Sequence, residues 1–175
     1  MVEITFKGKY TRRDVFKAVF LANKPTRKRE LIRIGIASLA MVIYVAYTVF
    51  VSIQNNTPLL DRNLIGSHLL YLLMIVLFLY YPNITSSITA LKIWKAPTMR
   101  YEYKGTISDT GILYSGKKTM ITWDQIVKRQ VTNEIIVLLT GSGILSFFPR
   151  GFFRSEGDWR LATRLVESNG EAISE

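Results

Sequence analysis

The sequence predicts an α+β membrane protein, in which a two-helix transmembrane hairpin is joined to a small antiparallel β-domain capped by a C-terminal helix. Three features indicate this class: two long apolar runs, a later series of short alternating segments separated by turn residues, and an amphipathic segment near the C-terminal end. The chain has 175 residues, is 49% hydrophobic and carries a net charge of +10. Basic charge combined with high hydrophobicity favours a membrane over nucleic acid as the partner.

The two apolar runs have the length of membrane-spanning helices. Residues 34–53 (IGIASLAMVIYVAYTVFVSI) carry no charge, and about 20 helical residues span roughly 30 Å, the thickness of a bilayer's hydrocarbon core. The second run, 64–82, contains only His68 as a group that can become positively charged. We expect His68 near the outer interface, contacting headgroups or the neighbouring helix, with a proton relay as the alternative. Pro82 is expected to end the straight part of this helix.

A soluble alternative exists for the two runs, namely two buried helices of a globular core. That arrangement requires more surrounding chain than a protein of this size offers. The polar connector QNNTPLLDRN between the runs is long enough for a turn and little else. A transmembrane hairpin is therefore the predicted structure.

Positively charged residues flank both runs, whereas the connector holds only Arg62 beside Asp61. Under the positive-inside rule this distribution predicts a multi-pass protein of the cytoplasmic membrane with both termini in the cytoplasm. The expected organisation is a cytoplasmic strand and amphipathic helix in 1–33, the hairpin in 34–94 and a cytoplasmic β-domain in 95–175. The flanking cations are Lys24, Arg27, Lys28, Arg29 and Arg33 before the first run, and Lys92, Lys95, Arg100 and Lys104 after the second.

The segments outside the hairpin have the periodicity of strands and amphipathic helices. The N-terminal VEITFKGKY alternates as a one-sided strand that we expect to join the C-terminal sheet. Thr11 with Asp14 resembles a capping box that opens a helix through about Ala22, and Ser155 with Asp158 caps a final helix. Between them, turn signals about every eight to ten residues predict a small barrel or sandwich, with strands in MRYEYKGTI, ILYS, TMITW, IVKRQV, EIIVLL and ILSFF.

The composition offers few catalytic or metal-binding residues. Without Cys and with a single His, one chain cannot form a disulfide, a thiolate zinc site or a multi-histidine site, so neither an enzyme activity nor a cofactor is predicted. Asp124 in TMITWDQIVKRQ would need a partner base, metal ligands or a second carboxylate to be catalytic. Its neighbours Gln125, Lys128 and Arg129 form no such set, so Asp124 is interpreted as the polar residue of a strand corner.

Residues 105–153 with the capped helix that follows resemble a known bacterial family. The matching elements are the ISDTGI turn, a Trp-Asp-x-Ile corner at 123–126, a hydrophobic strand and the sequence FFPRGFF. They are similar to the C-terminal domain of the YcxB-like proteins, and a curved antiparallel sheet closed by one helix is the outline of a pleckstrin-homology-like domain. The order of strand, helix, hairpin and β-domain extends the resemblance to nearly the whole chain. It implies an integral membrane protein with no catalytic residues to carry over.

Two classes of function fit these predictions. The first is a membrane-tethered binding or scaffolding module on the cytoplasmic face, in which the candidate contacts with anionic lipid or a partner are Lys117, Lys118, Lys128, Arg129, Arg150 and Arg154. Alternatively, the same cations are solvated surface charges that bind no ligand. The second class is a small subunit of an oligomeric transporter or channel, since two helices cannot enclose a pore alone. The expected partners are the lipid bilayer and an unidentified membrane or cytoplasmic protein; a homo-oligomer is compatible, and nucleic acid is not expected.

Overall fold

The computed structural model describes residues 3–55, 62–116 and 120–169 of the chain, with the side chains of 62–64 excepted. Its helices and strands are largely segregated along the chain, as in an α+β protein. In chain order they are β1 (Glu3–Gly8), α1 (Arg12–Asn23), α2 (Arg27–Asn55), α3 (Arg62–Lys95), β2 (Tyr103–Ser108), β3 (Gly111–Tyr114), β4 (Ile121–Thr122), β5 (Ile126–Val131), β6 (Ile135–Thr140), β7 (Leu145–Pro149) and α4 (Glu156–Ser168).

The chain divides into two compact units. Residues 1–23 and 86–175 form one, here called the α/β unit, and residues 24–85 form the other, here called the hairpin unit. The N-terminal strand and helix thus belong with the C-terminal domain. Residues 86–94, which the sequence analysis assigns to the hairpin, also lie in the α/β unit, where Ala90 is fully buried.

Two antiparallel sheets form the framework of the α/β unit. The first has the strand order β1-β2-β3-β4, and the second has the order β5-β6-β7. Strand β1 pairs with β2 along its full length, from Glu3 opposite Ser108 to Gly8 opposite Tyr103. The expectation that the N-terminal strand joins the C-terminal sheet is therefore confirmed.

The core of the α/β unit forms because each strand and helix turns one apolar face inward. Ile4 and Phe6 alternate with exposed residues along β1, while the central strand β6 is buried over most of its length. The Phe6 ring meets the Phe148 ring edge-on, with centroids 4.8 Å apart. The helices α1 and α4 each contribute one apolar face to this core. The buried residues are Val15, Ala18 and Val19 of α1 and Trp159, Ala162 and Val166 of α4.

Both predicted helix caps are present. The Asp14 carboxylate accepts a hydrogen bond from the backbone N–H of Thr11 at 2.9 Å, and the Thr11 hydroxyl accepts one from the N–H of Asp14 at 3.2 Å. The Ser155 hydroxyl accepts a hydrogen bond from the N–H of Asp158 at 3.1 Å. Each cap supplies a partner to N–H groups that a helix leaves unpaired in its first turn.

The structure differs from the sequence expectations at two places. The segment Pro97–Arg100 is a 3-10 turn, so that the strand expected from Met99 begins at Tyr103. Residues Trp123–Gln125 are also a 3-10 turn, which leaves β4 with only two residues and leaves Asp124 exposed at the corner. The third helix includes Pro82 and continues to Lys95.

Two antiparallel helices form the hairpin unit. Tyr44 of α2 lies beside His68 of α3, with its hydroxyl 2.5 Å from the Nδ1 of the imidazole, and Tyr71 of α3 donates a hydrogen bond to the carbonyl of Ala40 at 2.5 Å. The rings of Tyr44 and Tyr71 stack with centroids 3.8 Å apart. His68 thus bonds the neighbouring helix, which is one of its two expected contacts.

The apolar surface of the hairpin unit is almost entirely uncovered. Both helices are long and apolar enough to cross a membrane. Within the most apolar stretch of 18 residues in each helix, 6% of the residues are buried in α2 and 0% in α3. Val42 is 65% exposed and Leu73 is 52% exposed. The helices are therefore not the buried core of a globular unit, which was the soluble alternative.

Candidate anion-binding face

The structure separates the six predicted contact residues from one another. Lys117 and Lys118 lie outside the described residues. Lys128 on β5 donates a hydrogen bond from Nζ to the carbonyl of Ala22 at 2.5 Å, near the end of α1. A helix terminates in unpaired carbonyls that carry partial negative charge, so this contact stabilises the C-terminal end of α1.

Arg129 is also engaged inside the α/β unit. Its Nη1 donates to the carbonyl of Asn169 at 2.6 Å, and its Nη2 donates to the carbonyl of Trp123 at 2.8 Å. The guanidinium lies 5.9 Å from the centroid of the Trp123 ring. Burial lowers the pKa of Arg129, because desolvation disfavours the charged form. Arg129 thus joins the strand corner to the end of α4.

The remaining two candidates differ in their surroundings. Arg150 forms an ion pair with Glu156 in the first turn of α4, and the same carboxylate lies 3.4 Å from Nε of Arg160. Arg154 is exposed, and within the described part of the chain its side chain makes no hydrogen bond or ion pair. Of the four candidates that the structure describes, Arg154 is the one available for an external anion.

Arg154 lies on a face of the first sheet that already carries two lysines. Lys7 of β1 is directly opposite Lys104 of β2 in the antiparallel register. Phe153 forms a bridge with Phe6, and since these two aromatic residues point into the core, their neighbours Lys7 and Arg154 point outward. We call Lys7, Lys104 and Arg154 with the groove between them the basic face.

Hydroxyl groups accompany the cations on the basic face. Thr5 precedes Lys7 by two positions and is paired with Thr106, which follows Lys104 by two positions, so all four side chains point to the same side of the sheet. Ser115 is held beside β2 by a hydrogen bond from its N–H to the carbonyl of Lys104 at 2.8 Å. These residues line an open groove of about 470 Å³.

The charges on this face are only partly balanced. Lys7 has one carboxylate nearby, Glu102, at a distance of 3.5 Å, and both side chains are largely exposed. Like charges directly opposite each other on neighbouring strands destabilise a sheet, and an exposed ion pair compensates by at most about 1 kcal/mol. An anion that accepts hydrogen bonds from two lysines, an arginine and nearby hydroxyls would relieve this repulsion.

The strand corner carries the carboxylate of Asp124. Asp124 is exposed, and within the described ranges no group of three or more His, Asp or Glu side chains is arranged to hold a metal ion. The sequence analysis missed Lys7 and Lys104 as members of one face. The alternation of each lysine with apolar residues along its own strand could have indicated that its side chain points outward. That alternation does not reveal that β1 pairs with β2.

Glu134, in the turn between β5 and β6, shows how a compensated charge differs from the basic face. Its carboxylate is paired with Lys17 of α1, and this contact lowers the pKa of Glu134 below its ordinary value, with a smaller contribution from Arg13. Of Lys7, Lys104 and Arg154, only Lys7 has a carboxylate partner among the described residues, namely Glu102.

Comparisons of the chain with protein families, with curated proteins and with solved structures find no match.

Proposed function

We propose that this chain is a membrane-tethered binding module, in which α2 and α3 cross a membrane and the α/β unit recognises an anionic group in the cytoplasm. The observation that carries the proposal is the combination of an uncovered apolar hairpin with a separately packed α/β unit. A large exposed apolar surface is costly in water and is the normal outer surface of a protein in lipid.

Charge at the helix ends supports the orientation. Arg27, Lys28 and Arg29 occupy the first turn of α2, where the helix dipole disfavours positive charge, and only Glu30 offsets them. Their position is explained if this end lies at a cytoplasmic membrane surface, where basic residues are retained. Lys92 and Lys95, in the last turn of α3, are a second group of cations that supports the same orientation.

The basic face supports recognition of an anion. Its three cations and three hydroxyls surround a groove rather than a flat surface, and both lysines stand on hydrogen-bonded strands that fix their positions. A phosphate group presents several acceptor oxygens and suits such a set of donors. We therefore propose a phosphate-bearing ligand, either the headgroup of an anionic phospholipid or a soluble phosphate compound.

The test uses the full chain in nanodiscs of zwitterionic phosphatidylcholine and two probes, inorganic phosphate and glycerophosphoglycerol, the soluble headgroup of an anionic lipid. Calorimetry compares the wild type with the triple variant Lys7→Gln, Lys104→Gln and Arg154→Gln. The matched control removes the same charge at exposed arginines elsewhere, with Arg13→Gln, Arg160→Gln and Arg164→Gln.

We expect the basic-face variant to lose at least about tenfold in affinity and the control to lose less than about threefold, from the energies of exposed ion pairs. Tighter binding of glycerophosphoglycerol than of phosphate favours a lipid headgroup, and the reverse order favours a soluble phosphate compound. Equal losses in both variants, or no loss in the basic-face variant, contradict the proposal. Replacement of Lys117 and Lys118, which lie outside the described residues, is the companion experiment.

A further inference from the structure

A second concavity in the α/β unit opens between the two sheets and has a different chemistry from the basic face. Its volume is about 280 Å³, and its walls come from β2, β3 and β4 on one side and β7 on the other. None of the described residues that line it is charged, although 21% of the chain is. It shares no lining residue with the groove of the basic face.

Aromatic rings form the floor of this cavity. The Tyr10 ring lies 4.3 Å from the Phe147 ring and 4.7 Å from the Tyr103 ring, measured between centroids. The Tyr10 hydroxyl donates a hydrogen bond to the carbonyl of Phe147 at 2.8 Å, and Tyr10 is only 4% exposed. A floor fixed by packing and by a buried hydrogen bond is preformed, so that it need not rearrange to contact a ligand.

Two polar groups in the cavity wall differ from the rest in having no internal partner. Among the described residues, neither the hydroxyl of Tyr103 nor the side-chain amide of Gln125 makes a hydrogen bond. By contrast, the Tyr114 hydroxyl bonds the side chain of Ser146, and burial raises the pKa of Tyr114 to about 12, so that this wall stays uncharged at neutral pH. Tyr103 and Gln125 can each donate or accept one bond from a bound molecule.

The rim of the cavity is apolar and adaptable. Met99 and Met120 contribute unbranched thioether side chains, which adjust readily to the shape of a ligand. Ile144 completes the rim and is 54% exposed. A ligand that entered would cover this side chain.

We propose that this cavity binds a small uncharged aromatic molecule that carries a hydrogen-bonding group. The volume accommodates roughly nine water molecules at about 30 Å³ each, which is the size range of a one- or two-ring compound. The uncharged walls disfavour an anion, because no cation in the described lining would compensate for its desolvation. This site is therefore separate from the basic face and does not depend on the function proposed for it.

The test is a titration of the full chain in nanodiscs with indole, followed by NMR of methionine methyl groups labelled with carbon-13. The chain has five methionines, of which Met99 and Met120 lie at the rim and Met41 and Met74 lie in the hairpin helices. We expect saturable shifts at Met99 and Met120 with little change at Met41 and Met74. The hairpin methionines thereby report any partition of indole into the lipid.

Two variants and one matched control sharpen the result. Ile144→Trp is expected to obstruct the mouth and abolish saturation, whereas Val127→Trp, at a 64% exposed position outside the cavity, is expected to leave it unchanged. Tyr103→Phe keeps the ring and removes only the hydroxyl, so indole affinity should fall roughly threefold to tenfold. Indene, which lacks the N–H of indole, should bind the wild type and Tyr103→Phe equally.

Three results of the indole titrations overturn the proposal. They are equal shifts at all four methionines, no saturable shift at Met99 and Met120, and undiminished saturation in both Ile144→Trp and Tyr103→Phe. A response of Met99 and Met120 to the acyl-chain composition of the nanodisc but not to indole would also overturn it, because the cavity would then hold a lipid chain.

Discussion

Large apolar side chains are buried in the core of the α/β unit, whereas in the hairpin unit most of them are exposed. In the α/β unit, Phe148 and Ile136 are fully buried, whereas in the hairpin unit Leu73 is 52% exposed and Val42 is 65% exposed. The α/β unit supplies its own apolar interior from two sheets and two helices. The hairpin unit has only two helices, which cover each other along one side, and lipid is the environment that suits the other sides.

The two units also differ in the direction in which their polar side chains point. In the hairpin unit, Tyr44 and Tyr71 direct their hydroxyls to the opposite helix, so polar atoms join the helices and apolar atoms face outward. In the α/β unit the outward positions of the first sheet carry Thr5, Lys7 and Lys104. The four predictions below test this contrast, from the largest expected effect to the smallest.

The largest effect is expected from Phe148→Ala in the α/β unit. Phe148 is 0% exposed and packs against Phe6, so its truncation should lower the free energy of unfolding by about 3–5 kcal/mol. Urea unfolding followed by tryptophan fluorescence measures this directly, because all three tryptophans lie in the α/β unit. Leu161→Ala, at a position 44% exposed, is the control and should cost less than about 1 kcal/mol. Similar losses for both would contradict the assigned core.

The next effect is expected from Leu73→Arg in α3. An arginine at the centre of a membrane-spanning helix disfavours insertion by about 3 kcal/mol, so less of the variant should resist extraction of the membranes with alkaline carbonate. Leu73→Ala is the control and should remain in the membrane fraction. If Leu73 instead faced water, the arginine would leave extraction unchanged or increase solubility.

Alkaline pH should destabilise the α/β unit through its buried tyrosines. Burial raises the pKa of Tyr10 and raises that of Tyr114 to about 12, so the folded state holds both phenols in the neutral form. Their contribution to stability is complete below about pH 10, where unfolded tyrosine titrates, and is lost as the pH rises through the folded values.

The measurement is urea unfolding at several pH values between 9 and 12, with Tyr114→Phe as the comparison. Each raised tyrosine adds a slope of about 1.4 kcal/mol per pH unit above pH 10, so Tyr114→Phe should decrease the slope by about that amount. Identical slopes in the wild type and the variant would show that Tyr114 does not hold its proton in the folded state.

The smallest effects are expected on α4. Ser155→Ala removes the acceptor for the N–H of Asp158 and should cost about 1 kcal/mol. Thr163 on the same helix has a buried hydroxyl without a hydrogen-bond partner, so Thr163→Val should be neutral or stabilising. Equilibrium unfolding of the two variants gives both values, and a loss of more than about 1 kcal/mol in Thr163→Val would mean that its hydroxyl has a partner.

Local patterns predicted much of this fold. The turn residues Thr132 and Asn133 between the segments IVKRQV and EIIVLL anticipated β5 and β6, and the spacing of Thr11 with Asp14 and of Ser155 with Asp158 anticipated both helix starts. These features depend on neighbouring residues, so the sequence carries them directly. The strand predicted from Met99 was wrong, because four residues are too few to distinguish the two-residue repeat of a strand from the three-residue repeat of a 3-10 turn.

The candidate sites were largely beyond the reach of such patterns. Lys7 and Lys104 lie about a hundred residues apart and meet only through the β1–β2 register. Lys128 and Arg129 were predicted to contact an external anion because the sequence shows their charge. It does not show that they donate hydrogen bonds to the backbone carbonyls of Ala22 and Asn169. The uncharged cavity likewise required knowledge of which strand ends face each other.

The central claim, that the hairpin crosses a membrane and leaves the α/β unit in the cytoplasm, is tested most directly by single-cysteine labelling. The chain has no cysteine, so Asn56→Cys in the connector and Ser142→Cys in the exposed loop between β6 and β7 each introduce one defined thiol. A membrane-impermeant maleimide added to intact cells should label Asn56→Cys at once and Ser142→Cys only after the membrane is permeabilised. Labelling of Ser142→Cys in intact cells, or protection of both positions until permeabilisation, would contradict the account.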